Sequence, residues 1–296
     1  MANRTYDIVG DEFKVGYRKQ DAWGWKIALA FFFGDVGAGT FFVSAFFDYM
    51  PGLIFGWLLT TFFKPAALLM HLGRPERFWR AIMNLKSAWI SRGVLGAILF
   101  TGFGFIHMVN LKWSFLNPGL SSIVFFLAMA GCFIVMIYLG YVLSHSPAIT
   151  LWSSGLMPLI SLVYGIMGGV TMTLLFGVNS FLADNPEALR FLKLTELSLI
   201  IVTFIMLASM LHGAAYKSRA GMATVLQLII GEHAKWFWGY VILIGIIGAG
   251  LLALTGSVSI FILLLVAIME LIGDIGLKMV LFKSGLYAPP LSHSTV

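Results

Sequence analysis

Asp35, Lys64, His107, Glu196, Glu270 and Asp274 lie inside long apolar stretches of this 296-residue chain. A charge at mid-bilayer costs several kcal/mol unless it is paired or hydrated, so each is a functional candidate. Two readings fit them. As a set they could form a discontinuous polar track that carries protons across a membrane or toward a redox site. Alternatively, Lys64 bridges a carboxylate on another helix and the pair is structural. Glu270 and Asp274 stand at i and i+4 on one helical face. Two acids so placed repel unless one binds a proton, which is the electrostatics of a titrating site. His107, taken alone, reads as a hydrogen-bonded core residue.

A second group gathers where apolar stretches meet basic loops. It comprises Trp23 and Trp25, then His71 and Arg74, then Tyr138, Tyr141 and His145, and finally His212. Aromatic rings with a histidine and an arginine at headgroup level suit a quinone ring. Stacking would hold the ring, and its two oxygens need donors that also deliver protons on reduction. The other reading is an ordinary aromatic belt with snorkelling basic side chains.

The elements that must position these residues follow from composition. Apolar residues make up 59% of the chain and charged ones 11%, with a mean hydropathy of +0.93. Soluble domains carry about 25% charged residues. A soluble globule, a disordered chain and a secreted disulfide scaffold are therefore excluded. The single cysteine, Cys132, can neither pair internally nor supply the four thiolates of an iron–sulfur cluster. The basic excess of 19 over 13 is read for membrane orientation, not for nucleic acid.

Eight stretches reach the roughly 20 apolar residues that a spanning helix needs: 26–49, 53–72, 93–111, 120–143, 156–176, 194–212, 237–255 and 258–282. They are continuous, without the alternation of barrel strands, so the expected fold is an all-α integral membrane protein. The layout expected is a polar segment 1–25, a membrane domain 26–282 and a tail 283–296, with no signal peptide visible. His71-Leu72-Gly73 and His212-Gly213, each closing a span ahead of basic residues, hint at duplication into two four-helix bundles. Gly34–Gly39, Gly165–Gly169 and Gly245–Gly250 suit close helix contact.

At 1.5 Å per residue, Asp35 lies about 14 Å in from the basic side, with Lys64 and Glu270 at similar depth. His107 and Glu196 are nearer the far face. One side collects fifteen basic residues, Lys278 and Lys283 among them, against Lys112, Arg190 and Lys193 on the other. This count predicts cytoplasmic termini in a cell-membrane protein. Arg74–Met83 suits a short interfacial helix, and Asp184-Asn185-Pro186-Glu187 suits a helix start. The connecting segments are too short for a soluble catalytic domain.

Eight spans, Gly34-Asp35-Val36-Gly37-Ala38-Gly39-Thr40, and the segment His71-Leu72-Gly73-Arg74-Pro75-Glu76-Arg77-Phe78-Trp79-Arg80 together resemble the NrfD/PsrC family of quinone-reactive membrane subunits. The resemblance implies menaquinone or another quinone bound as substrate, with no haem and no iron–sulfur cluster in this chain. It implies a four-cluster iron–sulfur partner on the face that carries the termini and His71, Arg74 and Tyr141. Through that partner it implies a molybdenum- or tungsten-pterin catalytic subunit. Many family members place that face outside the cytoplasmic membrane, whereas the charge count here places it inside. Two alternatives stand beside this reading. One is a haem-b cytochrome, with His71 and His212 as the only reasonable ligand pair. The other is a secondary transporter or channel that uses Gly-broken helices and the charges at Asp35 and Lys64.

Overall fold

The computed structural model describes residues 17–287. Arg4 and Lys14 of the basic side, and the tail beyond Tyr287, lie outside the described residues. Among the described residues eight helices are long and apolar enough to span: α1 Trp25–Ala45, α2 Met50–Leu69, α3 Trp89–Trp113, α4 Pro118–Ser144, α5 Met157–Gly177, α6 Pro186–Lys217, α7 Ala234–Leu254 and α8 Ile260–Lys283. The protein is an all-α integral membrane protein. Lipid offers no partners to a bare backbone, so each span satisfies its own N–H and C=O groups.

The starts and stops are local chemistry. Pro118 and Pro186 occupy first turns, and the Asn117 and Asn185 side chains accept from the N–H of Leu120 and Ala188. The Asn185 cap sets α6 longer than its apolar stretch, from 186 instead of 194, so that Arg190 and Lys193 are helical. At 32 residues α6 is about 48 Å long and overshoots the hydrocarbon core. The segment expected as an interfacial helix forms 3₁₀ turns over Pro75–Ile82 and exposes Phe78 and Trp79.

In α2, Pro65 brings no N–H, and its ring would clash with the carbonyl four residues back in a regular helix. The preceding turn widens to a π-helix over Leu59–Phe63, and the Lys64 N–H reaches back to the Leu59 carbonyl. A longer π segment, Phe237–Gly248, runs through α7.

Helices α1 to α4 close one ring of packing neighbours, and α5 to α8 close a second. The two bundles meet chiefly through α1 against α5, with α4 on α5 and α1 on α8 beside them. A Cβ on Gly39 would overlap the Gly165 carbonyl, and one on Gly169 would overlap the Gly39 backbone. Only glycines permit this approach, which is the close-contact role expected of them. On the basic side, β1 (Arg18–Lys19) pairs antiparallel with β2 (Leu286–Tyr287). Both described ends therefore sit together, as an even number of spans requires.

Gly39→Val should lower the thermal stability of the detergent-solubilised protein by the equivalent of about 2–3 kcal/mol. Gly102→Ala, whose new methyl would meet nothing within 4 Å, should leave the melting temperature unchanged or slightly raised. Equal melting curves for Gly39→Val and the wild type would reject the glycine contact as the seam.

Candidate functional site

The buried charges form two clusters one helical turn apart on α8. In the first, Lys278 Nζ lies 3.2 Å from Asp35 Oδ2 and also pairs with Asp274 Oδ1. Ser161 donates to Asp35 Oδ2 at 3.3 Å, and the Lys278 ammonium sits 5.5 Å from the Tyr164 ring centre. All three charged residues are at most 4% exposed. A cavity of about 20 Å³ touches Asp35, Ser161, Tyr164, Asp274 and Lys278, which is room for one water. Asp35 Oδ1, Asp274 Oδ2 and the Tyr164 hydroxyl have no protein hydrogen-bond partner. The set joins the bundles, with Asp35 from the first and the remainder from the second.

In the second cluster the Thr171 hydroxyl lies within hydrogen-bond reach of Glu270 Oε2, of Glu196 Oε1 at 3.3 Å and of the Met167 carbonyl at 3.0 Å. One hydroxyl proton cannot serve three acceptors. All three contacts are met when the threonine donates to the Met167 carbonyl and carboxyl O–H groups of both Glu270 and Glu196 donate to its oxygen. Glu196 and Glu270 are each 1% exposed. Because α6 starts at Pro186, Glu196 lies about 15 Å along it, deeper than its apolar stretch implies. Glu270 and Asp274 thus do not share a site: the former faces Thr171 and the latter faces Lys278.

Lys64 corrects a second expectation. Among the described residues it makes no carboxylate bridge; Lys278, assigned from sequence to the basic flank, takes the carboxylates instead. Gly34 leaves space for the Lys64 stem, and the ammonium caps the Tyr138 ring at 4.4 Å. Lys278 was legible only as a cation four residues after Asp274, an i,i+4 pair. His107 stands apart in the first bundle, between Phe41 and Phe125, with neither ring nitrogen hydrogen-bonded.

At the basic end, one turn above Tyr138, the Tyr141 ring stacks on Trp89 at 3.9 Å and 7°. The Trp89 indole N–H donates to His145 Nε2 at 3.2 Å. His145 Nδ1 meets the Tyr141 carbonyl at 2.9 Å, which fixes Nδ1 as the protonated nitrogen. The Arg92 guanidinium covers the Trp89 ring at 4.3 Å. Trp89 and Arg92 were missed from sequence, although they lie i,i+3 at the start of α3. Of the other candidates, His71 and Arg74 follow the end of α2, where the Lys26 ammonium donates to the Met70 carbonyl at 3.0 Å. Trp25 is half exposed. His212 is exposed and lies against Tyr216, ring centres 4.6 Å apart and tilted by 46°, and its helix α6 belongs to the bundle opposite that of His71.

These features define a multi-pass helical membrane protein with two buried ionisable clusters and an aromatic cluster on one face. The chain belongs to the NrfD family, described as "Polysulphide reductase, NrfD", which it matches over residues 15–290. It is also similar to the C subunit of the polysulfide reductase of Wolinella succinogenes, 26% identical over 265 residues, a match that covers 77% of the present protein and 80% of that subunit. Membership places it among the membrane subunits of redox complexes.

Lys278→Met leaves two carboxylates buried without their cation and should cost about 3–5 kcal/mol of stability. Adding Asp35→Asn and Asp274→Asn should restore most of it. Thermal unfolding in detergent reads both, and equal losses in the single and triple variants would show that the ion set holds nothing together.

Proposed function

We propose that this chain is the membrane anchor and quinone-reactive electron-transfer subunit of a multisubunit oxidoreductase. It exchanges electrons between an iron–sulfur partner and a membrane quinone, menaquinone or a similar ring. A four-cluster iron–sulfur subunit docks on the basic face, and a molybdenum- or tungsten-pterin subunit lies beyond it. The chain sits in the cell membrane with its termini in the cytoplasm.

One observation carries the reading. Two buried polar clusters, Glu196–Thr171–Glu270 and Asp274–Lys278–Asp35, stand one helical turn apart on α8, and Lys64 over Tyr138 lies one turn below the Trp89–Tyr141 stack. Interconverting quinone and quinol moves two electrons and two protons, so a site that does so needs both an electron partner and a proton route. Trp89 is covered by Tyr141 on one face and by Arg92 on the other, so a planar ring at headgroup depth would lie against the outer face of Tyr141. His145 spends both nitrogens on protein groups and acts as the support of Trp89. The proton and hydrogen-bond partners of the quinone oxygens are then His71 and the Tyr141 hydroxyl, and Arg74 balances negative charge on the reduced ring. Glu196, Glu270, Asp274, Asp35 and Lys64 hand protons between the far side and the ring, while His107 lies off this route.

In an assembled complex, His71→Ala should lower quinol-dependent turnover about 100-fold or more and spare dye-linked activity at the catalytic partner. Unchanged quinol activity would remove His71 from the site. Glu270→Gln should keep quinol turnover in detergent yet abolish proton movement in proteoliposomes, and intact proton movement would remove the clusters from the mechanism.

A further inference from the structure

Outside this site, a groove of about 380 Å³ opens between α7 and α8 on the basic side of the second bundle. Its mouth is polar, formed by Glu232, His233 and Lys283. Its depth is apolar, running past Met279 and Ile275 to Ile272. From Lys283 to Ile272 is eleven residues of helix, about 16 Å, which takes the groove from headgroup level toward the bilayer middle.

The mouth favours an anion. Lys283 makes no ion pair among the described residues, whereas Glu232 is already matched by Lys19. The hydrogen bond and charge of Lys19 hold the Glu232 carboxyl below the usual glutamate range, and His233 and Lys283 add to the field. His233 lines the same mouth and is 8% exposed. An ammonium with no ion pair among the described residues, beside a histidine at one mouth, suits a phosphate. The walls below suit a hydrocarbon chain. Trp236 and Tyr240 stack on each other at 4.9 Å and 20°, so together they form a single wall of the groove. At Gly276 a Cβ would come within 3.2 Å of Tyr240, so a larger residue would crowd the floor.

We propose that this groove holds one anionic phospholipid, its phosphate between Lys283 and His233 and one acyl chain along Ile272, Ile275 and Met279. The site is independent of the quinone assignment. Basic pockets between transmembrane helices are where such headgroups bind, at about a fivefold gain in affinity per lysine.

The test uses the full chain, delipidated in detergent and titrated with phosphatidylglycerol, phosphatidylcholine, inorganic phosphate or a short-tailed quinone, with native mass spectrometry reading bound adducts. One phosphatidylglycerol should be retained in preference to phosphatidylcholine. Lys283→Gln should weaken it about fivefold, Lys283→Arg should retain it, and Lys86→Gln elsewhere on the basic face should not change it. Met279→Trp fills the tail channel without altering charge and should also weaken binding. Equal retention of the two lipids, or wild-type affinity in Lys283→Gln, would overturn the headgroup site. Displacement by inorganic phosphate at equal concentration, or no effect of Met279→Trp, would overturn the tail channel. Displacement by the quinone alone would assign the groove to a redox ligand instead.

Discussion

Lys278 sits between two carboxylates that arrive from different bundles, and the architecture is arranged around keeping it there. Bringing these charges into a low-dielectric interior is expensive, and only close mutual pairing offsets it. Asp35 must therefore be delivered to α8 at hydrogen-bond range, across the seam between the bundles. The glycine contact of α1 with α5 makes this possible, because any side chain at Gly39 or Gly169 would push the helices apart. A second backbone contact, Gly245 against Gly273, draws α7 onto α8 next to Asp274. Small residues supply the approach, and the ion set makes one relative placement of the bundles far better than its neighbours.

That placement also sets the polarity of the interior. α8 carries Glu270, Asp274 and Lys278 at successive turns, so one helix face presents an acid to Thr171 and Glu196 and an ion pair to Asp35. The first bundle answers with Lys64 over Tyr138, a buried cation set against α4. Belonging to the NrfD family makes a redox role for this asymmetry the natural reading. The aromatic cluster lies on the first bundle and the lipid groove on the second, so the basic face divides into two chemically different halves.

The eight spans were legible because lipid demands long apolar runs, and the bundle pairing because His71 and His212 repeat one pattern. Helix ends were less so: Arg190 and Lys193 lowered the hydropathy of the first turns of α6, while the Asn185 cap that extends the helix is only a local signal. The side-chain partners were not legible. Asp35 and Lys278 are separated by most of the chain, and periodicity gives no rotation of one helix against another. Lys278 therefore read as a flanking cation and Lys64 as the bridge. Trp89 and Arg92 were hidden by the ordinary look of an aromatic next to a basic residue at a membrane edge.

The wide turn before Pro65 has a further meaning. A π turn amounts to one extra residue in an α-helix, and it shifts the phase of everything after it by about 100°. The first half of α2 is keyed to α1 through Gly56 on Gly37, and the second half through Lys64 on Gly34. An uninterrupted helix could satisfy one of these but would turn the other away from its partner. The residue of slack at Leu59–Phe63 lets a single span keep two registers against the same neighbour. The proline that seems to damage the helix is thus what directs a cation inward, and the two neighbouring phenylalanines, Phe62 and Phe63, outward.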